Sequence, residues 1–151
     1  MCKRKFRWVK ESLQPMVARA AVRNVRLGIE ARRAYEEIPS ERELPELLAQ
    51  IAAPHVGYWH NMGHIQIKEN LGFLDHADWL HTIGAWTFGC HMQDVRWPAQ
   101  DHQPPFLGNM KLEQLTHLLP SDCQIVWELS PQSRADQIAK SRTIWKERFG
   151  E

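Results

Sequence analysis

With 151 residues, 43% of them hydrophobic and 25% charged, the chain has length for one hydrophobic core and little to spare for a second, so a single domain over 1–151 is expected. Its 19 basic and 18 acidic side chains leave no electrostatic footprint for nucleic acid or for an anionic membrane, and neither is an expected partner. No run approaches the ~18 apolar residues of a membrane span, and the basic opening MCKRKFRWVKES meets Lys10 and Glu11 before any apolar signal-peptide region forms.

Residues 3–23 have helical spacing, with Ser12 as an N-cap and Pro15 near the start of a second helix. The apolar run VRLGIE (25–30) then reads as a buried strand and SERELPELLAQIA, after Ser40, as a helix. A second strand is expected at HVGYWH (55–60). The stretch GYWHNMGHIQIKENLGF (57–73) lacks the period of an ordinary amphipathic helix, which places His64 in a loop. A helix over HADWLHTIG leads to a third strand, WTFGCH (86–91), and the tract DHQPP (101–105) is a loop stiffened by Pro104 and Pro105. MKLEQLTHLL reads as a helix, CQIVWE (123–128) as the fourth strand, and QSRADQIAKSRTIWKERF, after Pro131, as the closing helix.

Continuously apolar strands that alternate with helices are the mark of parallel strands covered on their faces. The expected fold class is therefore α/β: an N-terminal helical segment followed by four βα units, half of a (βα)8 barrel. No G-x-G-x-x-G or G-K-[ST] turn follows any strand, so a nucleotide phosphate has no cradle. Three cysteines without a C-x-x-C pair, Cys2, Cys90 and Cys123, suggest neither a disulfide framework nor a zinc knuckle. Cys90 and Cys123 read as small core residues, and a reducing cytoplasm is the expected location.

Sites in parallel α/β folds are built at the carboxyl ends of strands. Those ends carry Glu30, His60 with Asn61, His91, and Glu128. A carboxylate is costly to bury unpaired; Glu30 could be paired with Arg32 or Arg33, and His91 could be a satisfied core histidine. Two carboxylates with a histidine between them also form an oxygen and nitrogen set suited to Mn²⁺, Co²⁺, Mg²⁺ or Zn²⁺. His60 and Asn61 must point to opposite faces by the period of two, so one of them faces the site. Asn61 is that residue if Glu30 and His91 face it too. His64, Arg96 and Glu36 lie where they could contact a substrate over the same mouth, although each could equally be an exposed loop residue. Trp59, Trp86 and Trp127 are expected between sheet and helices, with pocket lining as the alternative for Trp59.

The ordered segments LGIEARRAYEEIP, GYWHNMGHIQIKENLGFLDHADWL, FGCHMQDVR, DHQPP and IVWELSP resemble the xylose isomerase-like TIM-barrel family of sugar phosphate isomerases and epimerases. The resemblance covers the chain from about residue 12 onward and corresponds to the C-terminal half of that barrel. It implies a divalent metal held by Glu30, Asn61, His91 and Glu128, with Glu30 and Glu128 also the catalytic acid and base. It further implies substrate contacts from His64, Arg96 and Glu36, and a sugar or sugar phosphate as substrate. Two positions depart from the family pattern. Asn61 stands where the family has aspartate, removing one negative charge and weakening metal binding, and FLGNMKL replaces a glycine-rich segment after the D-H-x-P-P tract.

Four strands leave two open sheet edges, so a homodimer or an N-terminal half-barrel is the expected partner. A non-catalytic barrel remnant is the alternative. Phosphodiester cleavage of the endonuclease IV type is disfavoured by the near-neutral charge.

Overall fold

The computed structural model describes residues 3–34 and 36–150; Cys2 lies outside the described residues. The first element, α1 (Lys3–Arg23), is one continuous helix with Pro15 inside it. The expected break at Ser12 and Pro15 does not occur. Strong helix formers on the far side of the proline, Ala18, Arg19, Ala20 and Ala21, carry the helix through a residue that lacks one backbone donor.

From there strands and helices alternate: β1 (Leu27–Glu30), α2 (Leu44–Ile51), β2 (Val56–Asn61), α3 (Met62–Asn70), α4 (His76–Ile83) and β3 (Thr87–Met92). A short antiparallel hairpin, β4 (Asp94–Arg96) with β5 (Gln100–Gln103), precedes α5 (Leu112–Thr116), β6 (Gln124–Trp127) and α6 (Ala135–Phe149). The order in the main sheet is β1-β2-β3-β6 and every pairing in it is parallel. This is the expected α/β half-barrel arrangement. No helix among the described residues is long and apolar enough to cross a membrane.

Successive residues of a strand point to opposite faces, and the core follows that period. On the helix-covered face, Tyr58 packs with Leu44, Leu48, Ile65, Trp79 and Ile83. Further along the same face Cys90 and Met92 pack with Met62, Leu80, Leu112 and Leu115, and Trp127 and Trp145 lie against that cluster. Cys123 packs there as well. Burying a leucine or isoleucine in such a cluster contributes roughly 1.5–3 kcal/mol.

The opposite face carries Trp59, and its ring lies so close over Gly89 that a side chain at that position would overlap it. Trp59 meets Phe88 edge-on at 5.7 Å and His91 at 5.3 Å between centroids. It therefore lines the site side of the sheet, the less favoured of the two positions expected for it. Phe88 reaches this face because the β2–β3 register skips it, pairing Tyr58 with Thr87 and Trp59 with Gly89.

The segment expected to be a loop around His64 is helix α3. Its buried residues, Met62, Gly63, Ile65, Gln66, Ile67 and Lys68, lie on nearly every side of it, so it shows no single apolar stripe to read. Lys68 is buried there because Glu41 accepts from its Nζ at 2.5 Å.

Candidate active site

Four neighbouring strands each deliver one polar residue at the carboxyl end. Glu30 ends β1, Asn61 ends β2, and His91 sits beside Asn61 in the β2–β3 register. Glu128 follows β6 and extends the ladder by donating its backbone N–H to Met92 O at 3.0 Å. Period-two alternation puts His60 on the helix-covered face and Asn61 on the site face, which resolves that ambiguity.

His91 Nδ1 lies 3.1 Å from Glu30 Oε1 and 3.7 Å from Glu128 Oε2. One ligand atom from each of Glu30, His91 and Glu128 falls within 4.8 Å of the others, and the three residues are half-buried. Two carboxylates at that separation repel by about 1 kcal/mol in bulk water and about 3–4 kcal/mol at the dielectric typical of protein surfaces. Hydrogen-bond donors or a cation must offset that repulsion. The arginines do not: Arg32 bonds Glu37 at 3.2 Å and Arg33 bonds Asp101 at 3.3 Å, so the pairing of Glu30 with either is not what forms.

Besides His91 Nδ1, within hydrogen-bond reach of Glu30 Oε1, two buried amides supply donors. Asn61 Nδ2 donates to Glu30 Oε1 and to Glu128 Oε2, both at 2.8 Å. Gln93 Nε2 donates to Glu128 Oε2 at 2.8 Å and to Asn61 Oδ1 at 3.0 Å. Asn61 Oδ1 also caps α3 by accepting from His64 N at 3.1 Å. Both side chains are fully buried. For a divalent cation, the donor chemistry of Glu30, His91 and Glu128 fits. That of Asn61 does not, because its oxygen is turned to the helix and its nitrogen, a donor, faces the carboxylates.

Gln93 was not singled out from the sequence. Nothing in the sequence marks it; in the fold it lies against Gly63, two residues after Asn61, where any Cβ would run into the Gln93 carboxamide. His102 was also missed as an individual residue, although its DHQPP tract was read as a proline-stiffened loop. It donates its backbone N–H to Gln93 Oε1 at 2.5 Å, and its ring Nε2 lies 3.7 Å from Glu128 Oε2. Its φ of 56° is left-handed, an uncommon conformation for a residue with a side chain. Asp101 Oδ1 lies 3.0 Å from His102 Nδ1. Burial raises the Asp101 carboxyl, but hydrogen bonds from His102 and Arg33 outweigh it and leave the group below its ordinary value.

The expected substrate contacts divide. His64, in the first turn of α3, holds Nδ1 2.9 Å from Ala31 O and 3.8 Å from Glu30 Oε1, so it borders the cluster. Arg96 is exposed and donates Nε to Leu107 O at 3.3 Å. Glu36 is exposed in the segment after β1. Among the described residues no hydrogen bond or ion pair joins Arg96 or Glu36 to the cluster. Beside Glu128 opens a polar cleft of about 650 Å³, lined among others by Gln100, Asp101, His102, Ser130 and Gln137.

Behind the sheet, His60 belongs to a second, fully buried polar chain. Trp79 Nε1 donates to Tyr58 Oη at 3.1 Å; Tyr58 Oη lies 3.2 Å from His60 Nδ1; His60 Nε2 lies 3.0 Å from His76 Nε2; and His76 Nδ1 lies 3.2 Å from Gln66 Oε1. An indole N–H only donates and an amide oxygen only accepts, so protons run one way along the chain and both imidazoles are neutral with assigned tautomers. Burial lowers His60 well below its ordinary value, assisted by His76 and His64, and lowers His76 to about 3.

The parallel four-stranded sheet, with a glutamate, histidine and glutamate cluster at its carboxyl rim, gives the chain an α/β fold that corresponds to half of a TIM barrel. Solved structures carry the same likeness. The chain is similar to 3-keto-D-glucoside 4-epimerase YcjR from E. coli at a TM-score of 0.74 and 17% identity, over 94% of this chain and 53% of that one. It is similar to a xylose isomerase domain protein from Planctomyces limnophilus at a TM-score of 0.69 and 13% identity, over 92% and 53% of the two chains. A D-tagatose 3-epimerase-like protein matches at a TM-score of 0.67 and 16% identity, over 92% and 52%. The chain spans about half the length of these proteins. No family model matches the sequence, and no curated protein matches it.

Proposed function

We propose that the chain is a sugar isomerase or epimerase half-barrel whose site moves a proton at the carbon next to a sugar carbonyl. The observation that carries this reading is the placement of two carboxylates, Glu30 and Glu128, on opposite sides of Asn61 and His91 at the rim of the parallel sheet. A divalent cation such as Mn²⁺, Co²⁺, Mg²⁺ or Zn²⁺, held by Glu30, His91 and Glu128, would polarise the carbonyl oxygen and its neighbouring hydroxyl.

Glu128 and Glu30 act as the base and acid. One takes the proton from the carbon and the other returns one to the opposite face, which epimerises that centre; return to the adjacent carbon isomerises the sugar. His64 and His102 flank the carboxylates and offer ring nitrogens to substrate hydroxyls. The cleft beside Glu128 receives the rest of a sugar or sugar phosphate. The structural neighbours named for epimerases support the substrate class, and the near-neutral charge opposes the endonuclease IV-like alternative.

A second reading concerns the assembly. In the described residues β1 pairs only with β2 and β6 only with β3, and the chain spans about half of each matched structure. The site would then work in a closed barrel, the other four strands coming from a second copy or from an N-terminal half-barrel.

The test is incubation of the chain with Mn²⁺ and a ketohexose in D₂O, with NMR detection of deuterium beside the carbonyl. Exchange is expected, with loss of about 100-fold or more in Glu128→Gln and in Glu30→Gln, the size of a general acid or base contribution. Sedimentation of the same sample reads the assembly. Absence of exchange, or exchange that persists unchanged in both variants, overturns the proton-transfer reading.

A further inference from the structure

The Asn61 and Gln93 amides form a closed circuit. Each nitrogen has two hydrogens and each is spent: Asn61 on Glu30 and Glu128, Gln93 on Glu128 and Asn61. Each oxygen accepts from a backbone N–H, Asn61 from His64 and Gln93 from His102. A backbone N–H can only donate, so neither amide can be turned over without facing a donor with a donor. Both NH₂ groups are thereby committed to the carboxylates. Gly63 leaves the space Gln93 needs, and the left-handed backbone of His102 aims the N–H that anchors it. Two carboxylates that would otherwise repel are thus held together by neutral donors.

We infer that Asn61 and Gln93 are an amide clamp, an uncharged substitute for a cation between Glu30 and Glu128. The clamp holds the carboxylate pair in place without metal, and a divalent ion binds only by displacing it. An aspartate at position 61 would keep one oxygen as the α3 cap and turn a second, anionic oxygen toward the glutamates, converting the clamp into a four-ligand cation site. Gln93 is a positioning residue: it fixes which end of Asn61 faces the pair, and it occupies the same Glu128 oxygen that Asn61 does. This inference rests on Glu30, His91 and Glu128 being the cation site proposed above.

The experiment is titration of the full chain with Mn²⁺ alone, free Mn²⁺ being read by its electron paramagnetic resonance signal, for the native chain, Asn61→Asp and Gln93→Met. Asn61→Asp is expected to tighten Mn²⁺ by about 100-fold, the upper end of what changes around metal ligands produce. Its melting temperature should then fall when EDTA is added, while that of the native chain stays fixed. Gln93→Met keeps the buried volume and removes a competing donor from Glu128, so it should tighten Mn²⁺ several-fold, whereas loss of a purely structural residue would weaken it. Asp is as good a helix cap as Asn, so Asn61→Asp carries the test even if Gln93→Met fails to fold.

Tight binding by the native chain with no gain in Asn61→Asp, or weaker binding in a folded Gln93→Met, overturns the clamp. The sugar reading is separable from it. Affinities that follow the clamp, with no deuterium exchange into sugar by any variant, uphold the clamp and sink the isomerase reading; exchange without the affinity pattern does the reverse.

Discussion

The buried His60–His76 pair makes stability depend on pH in a direction that can be worked out in advance. His76 is pushed down to about 3, first by burial and against a small opposing effect of Asp75, while an unfolded histidine titrates near 6.5. Below about pH 6.5 the unfolded chain binds a proton that the folded chain refuses, so stability must fall as pH falls, and the loss grows until about pH 3. For His76 alone the cost between about pH 7 and about pH 4.5 is on the order of 2–3 kcal/mol. His60, also lowered by burial, adds in the same direction. Glu69 engages the backbone of His76 rather than its ring: its Oε1 accepts from the His76 backbone N–H at 3.0 Å and its other oxygen from Gln66 Nε2 at 2.6 Å. The ring itself offers no free nitrogen for a new ion pair, because His60 Nε2 and Gln66 Oε1 already take its Nε2 and Nδ1.

Urea unfolding at a series of pH values measures the slope. His76→Gln removes one titrating ring, and the difference between the two slopes isolates its contribution from the carboxylates that titrate lower. The variant should lose stability at neutral pH and show a shallower decline toward acid. A native slope that is flat or inverted between about pH 6.5 and 4.5, or one unchanged by the substitution, would refute the assignment of neutral buried rings.

Other outcomes follow from single contacts. Tyr58→Phe leaves Trp79 Nε1 and His60 Nδ1 without their shared partner in a fully buried place, and urea unfolding should record a loss of about 1–3 kcal/mol. Asp94, raised by burial against several backbone hydrogen bonds, accepts from Val95 N, Gly108 N and Met110 N at 2.7, 2.9 and 3.1 Å. Asp94→Ala should speed hydrogen exchange at Gly108 and Met110 selectively, with α1 unaffected. Gly63→Ala should cost about 1–3 kcal/mol by overpacking against Gln93, and that penalty should shrink in the double variant with Gln93→Ala.

What could be read in the amino acids was the part governed by local period. Runs such as HVGYWH and WTFGCH are apolar because the central strands β2 and β3 are covered, whereas the equally apolar CQIVWE leaves Ile125 and Val126 exposed on the outer strand β6; Glu30 and Glu128 break the pattern of the two outer runs where a site must be. Alternation narrowed the end of β2 to one of His60 and Asn61, with Asn61 favoured only if Glu30 and His91 shared its face. Three features escaped for physical reasons. Helix α3 is surrounded by protein, so Gln66 and Lys68 are buried as deeply as Ile65 and Ile67, and no stripe marks it. The β4–β5 hairpin has strands of three and four residues, too short to show a period. Gln93 is an ordinary polar residue until Glu128, far away in the chain, comes to lie against it. The direction of the Asn61 amide was equally invisible, because it is set by a backbone N–H that exists only once α3 has formed.

Trp59 carries one more consequence. Its Nε1 is the buried side-chain nitrogen that finds no acceptor among the described residues, and such a deficit costs about 1–3 kcal/mol. An oxygen brought to that indole by whatever roofs the tryptophan would recover the loss and fix the angle of approach. The ring beside His91 thus sets a selection rule for whatever settles on this side of the sheet: a purely hydrocarbon surface is penalised there, and one with a single well-aimed acceptor is favoured.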